Sequence, residues 1–389
     1  MSGPMALEVE PFRSIGISRL AQRLQSEGRS IIHMEFGQPS TGAPQAAIAA
    51  AHVVLDRDGM GYWESSALKA RLARHYLETY GVTVDPEQFI LTCGASPALV
   101  LALISQFAAG ARVALARPGY VAYRNTLRAL HMIPVEIPCG PEVRYQLTAA
   151  SLAALDPPPD AVIIASPANP TGTIIVAEEL QAIARVCNER CIRIISDEIY
   201  HGLSYVGPAR SMLEFEADAL IVNSFSKYFS MVGWRLGWLL VPLANLARAR
   251  AYYGNLFLTA PSLSQHAALA ALDCMQELKG HVRVYARNRE LLLNALPALG
   301  LDAIAPPDGA FYIYADVRRF TDDSSVLQRD VARERRGNRA GHRLRSGRWS
   351  PLHTREFRDL HRGSSGGVAA VDGLAQRRQI MSACLVPRA

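Results

Sequence analysis

Lys227 and its neighbours carry the strongest chemical signal in the sequence. The stretch VNSFSKYFSMVGWRLGWLLV, residues 222–241, leads from an apolar run through Asn223 into Ser224-x-x-Lys227. Eight residues on comes Arg235, inside Gly-Trp-Arg-Leu-Gly, and a second apolar run follows. A lysine set among aromatic and small residues suits an imine to an aldehyde cofactor. Partial withdrawal from water favours the neutral amine, which is the nucleophile. The Ser224 hydroxyl and the Arg235 guanidinium are suited to holding a phosphate. The chain has only two other lysines, Lys69 and Lys279, against many arginines, so Lys227 stands out from the composition.

Other polar residues follow apolar runs in the same way. FILTCGASPALVLALISQF, residues 89–107, reads as a strand, a turn at Gly94, Ala95 and Ser96, and a helix with Pro97 in its first turn. Small residues there leave backbone N–H groups free for an anion. ARVALARPGYVAYRNTLRAL, residues 111–130, repeats the pattern and places Tyr120 after a Pro-Gly turn. AVIIASPANPTGTII, residues 161–175, is a β-branched run with no alternation, as in a strand covered on both faces, entering a turn at Asn169-Pro-Thr-Gly. IRIISDEIYHGLSY, residues 192–205, ends its strand at Asp197, with Tyr200 three residues on. A carboxylate at the end of a buried strand is costly without a cation beside it.

These motifs and their order resemble the pyridoxal-phosphate aminotransferases of fold type I, class I/II, the aspartate-aminotransferase-like group. The resemblance implies pyridoxal 5'-phosphate on Lys227, which acts as nucleophile and general base. It implies Asp197 at the pyridine nitrogen, and Asn169 and Tyr200 on the ring oxygen. Gly94, Ala95, Ser96, Ser224 and Arg235 then surround the phosphate, and Tyr120 stacks on the ring, with Tyr123 read as a core or supporting residue. Gly37, in GQPSTGAP, is implied where the substrate carboxylate meets the backbone, beside Asn169. Tyr62, in GMGYW, matches the tyrosine that reaches a neighbouring subunit's phosphate, although the residues after it depart from the family pattern. A homodimer is therefore implied.

The implied reaction moves an amino group between an L-amino acid and a 2-oxo acid. Aspartate is among the candidates, although aspartate-preferring relatives often carry lysine where Ser96 stands. The motifs fix chemistry at the substrate Cα but not its outcome. A lyase, racemase or decarboxylase, or an inactive cofactor-binding protein, remains the alternative.

The motifs need a scaffold that gathers strand ends. Strands and helices alternate over residues 89–241, which predicts an α/β fold with a mostly parallel sheet covered by helices. Functional residues fall at strand ends, where ligands bind in such sheets. A smaller α+β domain built from both chain ends is implied by the resemblance. The expected division is an N-terminal arm over 1–42, the large domain over 43–285, an incomplete small domain over 286–328 and an aberrant tail over 329–389. Helices are expected over Ile17–Gln25, Ala43–Leu55, Ala177–Arg190 and from Tyr252 onward, with a short strand over Ile31–Phe36.

At 389 residues, with 49% apolar and 20% charged residues, the chain has an ordinary globular composition. No signal-peptide pattern and no apolar run of about 18 residues is present, so a cytoplasmic location is expected and no membrane partner. Cys187 and Cys191 form a lone pair with no second one, so no metal is expected. The net charge of +6 is concentrated at one end. From Arg329 onward there are 14 Arg, no Lys and five acids, which leaves −3 for residues 1–328 and no basic face for nucleic acid.

Beyond about Leu327 the family pattern stops. No strand or helix period is visible, and neither is the arginine expected to grip the substrate's α-carboxylate. A reading-frame slip near residues 328–331 accounts for this. Codons for Gly341–Arg355 can be chosen so that the shifted frame reads PGIDFDPVDGARFIR, which resembles the missing segment. The alternative is an arginine-rich tail with a role of its own. With the slip, the tail is expected to be poorly ordered and activity impaired by loss of the carboxylate-binding arginine.

Overall fold

The computed structural model describes residue 9 and residues 13–28, 30–34, 37–57, 59–318 and 353–356. Seven strands form the main sheet: β1 (Phe89–Thr92), β2 (Arg112–Arg117), β3 (Ile133–Pro138), β4 (Ala161–Ala165), β5 (Arg193–Asp197), β6 (Leu220–Ser224) and β7 (Gly237–Leu240). Their spatial order is β1-β7-β6-β5-β4-β2-β3. Strands β2 to β6 pair parallel, while β7 runs antiparallel to both β1 and β6. The mostly parallel sheet expected from the sequence is therefore observed.

The unbroken apolar runs explain its burial. In β4, Val162 and Ile164 enter one core cluster while Ile163 enters the other. Neighbouring strands divide in the same way, with Ile194 opposed to Ile195 and Ile221 to Val222. These central strands thus feed a core on both faces, as the lack of polar alternation required.

The helices are α1 (Arg13–Ser26), α2 (Gln45–Leu55), α3 (Ser66–Tyr80), α4 (Ala95–Gln106), α5 (Val121–Ala129), α6 (Ala149–Ala153), α7 (Ala177–Glu189), α8 (Leu243–Leu256), α9 (Ser262–Ala271) and α10 (Met275–Ala295). Local chemistry sets some of their ends. Ser65 caps α3 by accepting from the Leu68 N–H at 3.1 Å, and Gly81 closes it in the left-handed conformation at φ 70°. The helical pattern expected from Tyr252 begins earlier, at Leu243, and Pro261 marks the break before α9.

Two expectations near the chain ends are corrected. Residues 31–34 form no strand, and the remainder of that expected strand, Glu35 and Phe36, lies outside the described residues. A second sheet pairs β8 (Tyr312–Ala315) antiparallel with β9 (His353–Glu356), within the stretch where the sequence showed no strand period. Backbone pairing to a ready strand needs no side-chain alternation, which is why pattern alone missed it. Residues 319–328 at the end of the expected incomplete small domain, and the expected aberrant tail apart from β9, lie outside the described residues.

Candidate active site

The C-terminal ends of β1, β2, β4, β5 and β6 share one rim of the sheet, and β7 starts on that rim because it runs the opposite way. Gly237, its first residue, pairs with both Thr92 and Ser224. Ligands bind at this rim in open α/β sheets. The predicted residues Gly94, Tyr120, Asn169, Asp197, Ser224 and Lys227 all follow or end these strands.

Asp197 ends β5 and is 7% exposed. Its Oδ1 accepts from the Ile199 N–H at 3.1 Å, and its Oδ2 accepts from the Tyr123 hydroxyl at 2.6 Å. Burial pushes its carboxyl up to about 6, while these two donors and the Lys227 charge oppose the rise. Tyr120 packs edge-on to Tyr123, with ring centroids 5.3 Å apart. Tyr123, read from the sequence as core or support, is therefore the direct partner of the acid.

Between β1 and α4 the backbone turns at Gly94, φ 106°. A Cβ there would lie 2.6 Å from Arg235 Nη2. Arg235 donates to the Cys93 carbonyl and to the Val232 carbonyl, each at 3.1 Å, which aims its guanidinium across the α4 N-terminus. A Cβ on Gly237 would meet Asn223 O at 2.7 Å, Gly94 C at 2.8 Å and Ser224 Cβ at 2.9 Å. Three chain segments thus converge closely. Ala95 and Ser96 begin the twelve-residue α4, whose first N–H groups have no partner within the helix. Ser96 is exposed, whereas Ser224 is buried and accepts from the Ser226 N–H at 3.1 Å.

Lys227 follows β6 on a turn tied by Ser230 N–H to its own carbonyl at 3.1 Å. Its Nζ donates to the Gly37 carbonyl and lies 5.9 Å from the ring centroids of both Tyr200 and Phe311. Thr41 Oγ1 bonds Ser230 Oγ at 2.6 Å and Tyr285 OH at 2.7 Å, which joins the Gly37 loop to the lysine turn and to α10. Tyr200 OH bonds Tyr312 OH, and Asn169 Nδ2 donates to that same Tyr312 oxygen at 3.2 Å. Sequence reasoning did not single out Tyr312. Its hydroxyl bridge spans 112 residues and leaves no local trace.

Tyr62 stands apart from this assembly at 85% exposure. Its loop is fastened to the start of α9 by Ser262 Oγ donating to Gly61 O at 2.8 Å, and Thr259 Oγ1 donates to Trp63 O at 2.7 Å. Among the described residues no cluster of His, Cys, Asp and Glu is arranged to hold a metal ion, and no helix is long and apolar enough to cross a membrane.

A mostly parallel rim carrying a lysine amine, a buried acid and a helix start with N–H groups free of intrahelical partners is the arrangement of an α/β enzyme acting on small molecules. The chain matches the family model for aminotransferase class I and II over residues 29–336, and it belongs to that family and is an aminotransferase. It is 45% identical over 323 residues to the valine–pyruvate aminotransferase of Mycobacterium tuberculosis, covering 81% of this chain and 83% of that one. A crystal structure of an aminotransferase from Mycobacterium tuberculosis superposes with a TM-score of 0.86 at 38% identity, covering 98% of each chain. The aspartate aminotransferase of Thermus thermophilus with maleate superposes at 0.80 with 27% identity, covering 84% of this chain and 87% of that one.

Proposed function

We propose that this aminotransferase uses pyridoxal 5'-phosphate held on Lys227, and that it moves the amino group of a small apolar L-amino acid to a 2-oxo acid such as pyruvate. The residues fit the cofactor. The Gly94 turn leaves the space that a Cβ would fill beside Arg235, and the α4 N-terminus supplies N–H donors to a phosphate. The buried Asp197 is an acid that calls for a cationic partner. When bound, the cofactor supplies an electron sink for charge developing at the substrate Cα.

The chain's own residues do the rest. The Lys227 amine is the nucleophile and, once free, the base that takes the α-proton at Nζ. Asp197 faces the ring nitrogen as an anion, kept in place by Tyr123 and the Ile199 N–H. Asn169 and Tyr200 share Tyr312 as a common anchor and are assigned to the ring oxygen. Tyr120 is assigned to the ring face, and Gly37 with Asn169 to the substrate carboxylate.

The observation that carries this reading is the presence of Lys227 and the buried Asp197 on adjacent parallel strand ends of one rim. Borohydride trapping followed by peptide mapping tests it, with the label expected on Lys227. A label elsewhere, or none, overturns the reading. The apolar substrate is supported by the 45% identity to the valine–pyruvate enzyme and by Ser96 standing where aspartate-preferring relatives often carry lysine. A panel of amino donors with pyruvate checks it.

The enzyme is proposed to work as a cytoplasmic homodimer. Tyr62, Met60, Trp63, Leu256 and Leu258 are all exposed, and their two segments are cross-linked through Thr259 and Ser262. Sedimentation should give twice the 42.4 kDa chain mass.

A further inference from the structure

Behind the rim lies a buried polar cluster that the proposed chemistry does not use. His201, 7% exposed, follows Tyr200 directly. Its Nε2 lies 2.9 Å from the Ser166 carbonyl, and its Nδ1 lies 2.8 Å from Tyr80 OH. A carbonyl only accepts, so Nε2 carries the proton. In the neutral ring Nδ1 is then the acceptor, and Tyr80 donates to it. Burial keeps the imidazole neutral by lowering it to about 4. Glu198 Oε2, 3.6 Å from Nδ1, is beyond hydrogen-bond reach and accepts from the Ser211 hydroxyl at 3.1 Å, while Oε1 accepts from Ser211, Ser196 and the Met212 N–H.

Ser166 is the first residue after β4, three before Asn169. Its hydroxyl accepts from the Ile175 N–H at 3.0 Å, while its carbonyl accepts from His201. The intervening loop closes on itself through Ala168 N–H to Thr173 O at 3.0 Å and Gly172 N–H to Ala168 O at 2.8 Å. The loop is therefore a rigid arch standing on Ser166, and Asn169 rides on it. The turn that carries Tyr200 is fixed in the same way by His201 N–H to Glu198 O at 2.9 Å. Two units, one bearing Asn169 and one bearing Tyr200, meet above at Tyr312 OH and below at the His201–Ser166 bond.

We propose that His201 is a positioning residue for amino transfer, setting the spacing of Asn169 and Tyr200 by donating from Nε2 to the Ser166 carbonyl, with Tyr80 selecting the tautomer. The inference rests on the cofactor assignment above, in which Asn169 and Tyr200 both donate to the ring oxygen. Two donors at one oxygen stabilise its anion and lower the pH midpoint of the bound cofactor's visible absorption. Loss of their relative placement raises that midpoint.

The experiment titrates the absorption of wild type, His201→Phe, His201→Gln and Tyr80→Phe holoenzymes against pH, with thermal melts and pyridoxal 5'-phosphate affinity measured alongside. Phenylalanine keeps the ring volume and loses the donor. Glutamine restores an N–H near the Nε2 position. The expected result is a midpoint raised by at least about half a unit in His201→Phe, with roughly three- to tenfold weaker cofactor affinity. Most of both effects should be recovered in His201→Gln, and Tyr80→Phe should show a smaller shift of the same sign. A merely structural role would lower the melting temperature and leave the midpoint where it is, and that outcome in folded His201→Phe overturns the proposal. If His201→Phe does not fold, an unshifted midpoint in Tyr80→Phe overturns it equally. A wild type with no visible cofactor band overturns the functional reading itself, and the inference with it.

Discussion

The Tyr123 hydroxyl donates to Asp197 Oδ2 at 2.6 Å, across 74 residues of sequence and between two buried side chains. This bond decides how readily the acid ionises. Burial, with a smaller push from the neighbouring Glu198, raises Asp197, and Tyr123 is the leading opposing influence, which leaves the carboxyl at about 6 against an ordinary 3.8. The anion is the form that pairs with a cationic ring nitrogen, and it is lost as pH falls through that value. Removing the donor raises the value further, so the loss begins at higher pH. Tyr123→Phe is expected to weaken pyridoxal 5'-phosphate binding about tenfold near pH 7, because a hydrogen bond to a charged group contributes roughly 1.5–3 kcal/mol. Its acid limb should also move to higher pH. Absorbance titrations of cofactor into the two proteins between pH 5 and 8 check both effects, and superimposable curves would refute the role.

Two glycines at the anion site should respond differently to alanine. In Gly94→Ala the new Cβ meets only the tip of Arg235, 2.6 Å from Nη2, so the guanidinium can swing aside. The residue also takes on strain at φ 106°, of order 1–3 kcal/mol. The expected phenotype is a folded protein with cofactor affinity down by about tenfold or more. In Gly237→Ala the contacts are Asn223 O and Gly94 C, both backbone, at 2.7 and 2.8 Å. Nothing there can swing, so the junction of β1, β6 and β7 must open. That variant should lose several degrees of melting temperature, on the order of 2 kcal/mol or more. Thermal melts and phosphate-cofactor titrations on the pair check the contrast.

Much of this arrangement was legible in the sequence, for a physical reason. Buried parallel strands must be continuous apolar runs, so the polar residue ending each run marks the rim. Asp197 and Ser224 end such runs and Asn169 and Lys227 follow them within four residues, while the resemblance of the motifs supplied the roles. What stayed hidden are the bonds between residues distant in the chain: Tyr123 to Asp197, Tyr312 to Tyr200 and Asn169, His201 to Ser166, and Thr41 to Ser230 and Tyr285. A tyrosine that packs and a tyrosine that donates to an acid have the same local pattern. The strand β9 was hidden for a different reason, since an antiparallel ladder of backbone hydrogen bonds can form without an alternating apolar pattern.

Glu198 should give the folded protein a measurable pH dependence. Burial raises its carboxyl to about 7 from an ordinary 4.5, with the Met212 N–H, Ser211 and Ser196 opposing the rise. Between those values the native state holds a proton that the unfolded chain has released. The stabilising contribution is therefore full below about 4.5 and is lost as pH rises through 7. Glu198→Gln removes the titration. Compared with the variant, wild type should lose stability across this window with a slope of up to about 1.4 kcal/mol per pH unit. Urea unfolding at half-unit steps from pH 4.5 to 8 measures it, and parallel curves for the two proteins would count against a titrating Glu198.

The last expectation concerns the strand beside β8. Tyr312, in β8, bonds both Tyr200 and Asn169, so the strand paired to β8, about 4.8 Å from it, is one strand removed from the residues assigned to the cofactor. That neighbour is His353–Glu356, within the stretch whose shifted frame ends in Phe-Ile-Arg. An arginine there with the family's role would grip the substrate carboxylate through two parallel N–H···O bonds, which fix both affinity and orientation. A frame-restored chain should then exceed this one in kcat/KM by about a hundredfold, equivalent to about 2.7 kcal/mol of transition-state stabilisation. The gain should be largest for substrates that rely on the carboxylate alone, because a small apolar side chain offers few other contacts. Sequencing the coding DNA settles whether the shifted frame reads as expected. Equal rates for the two chains would mean that the carboxylate is held by residues already present at the rim, with Gly37 and Asn169 the first to substitute.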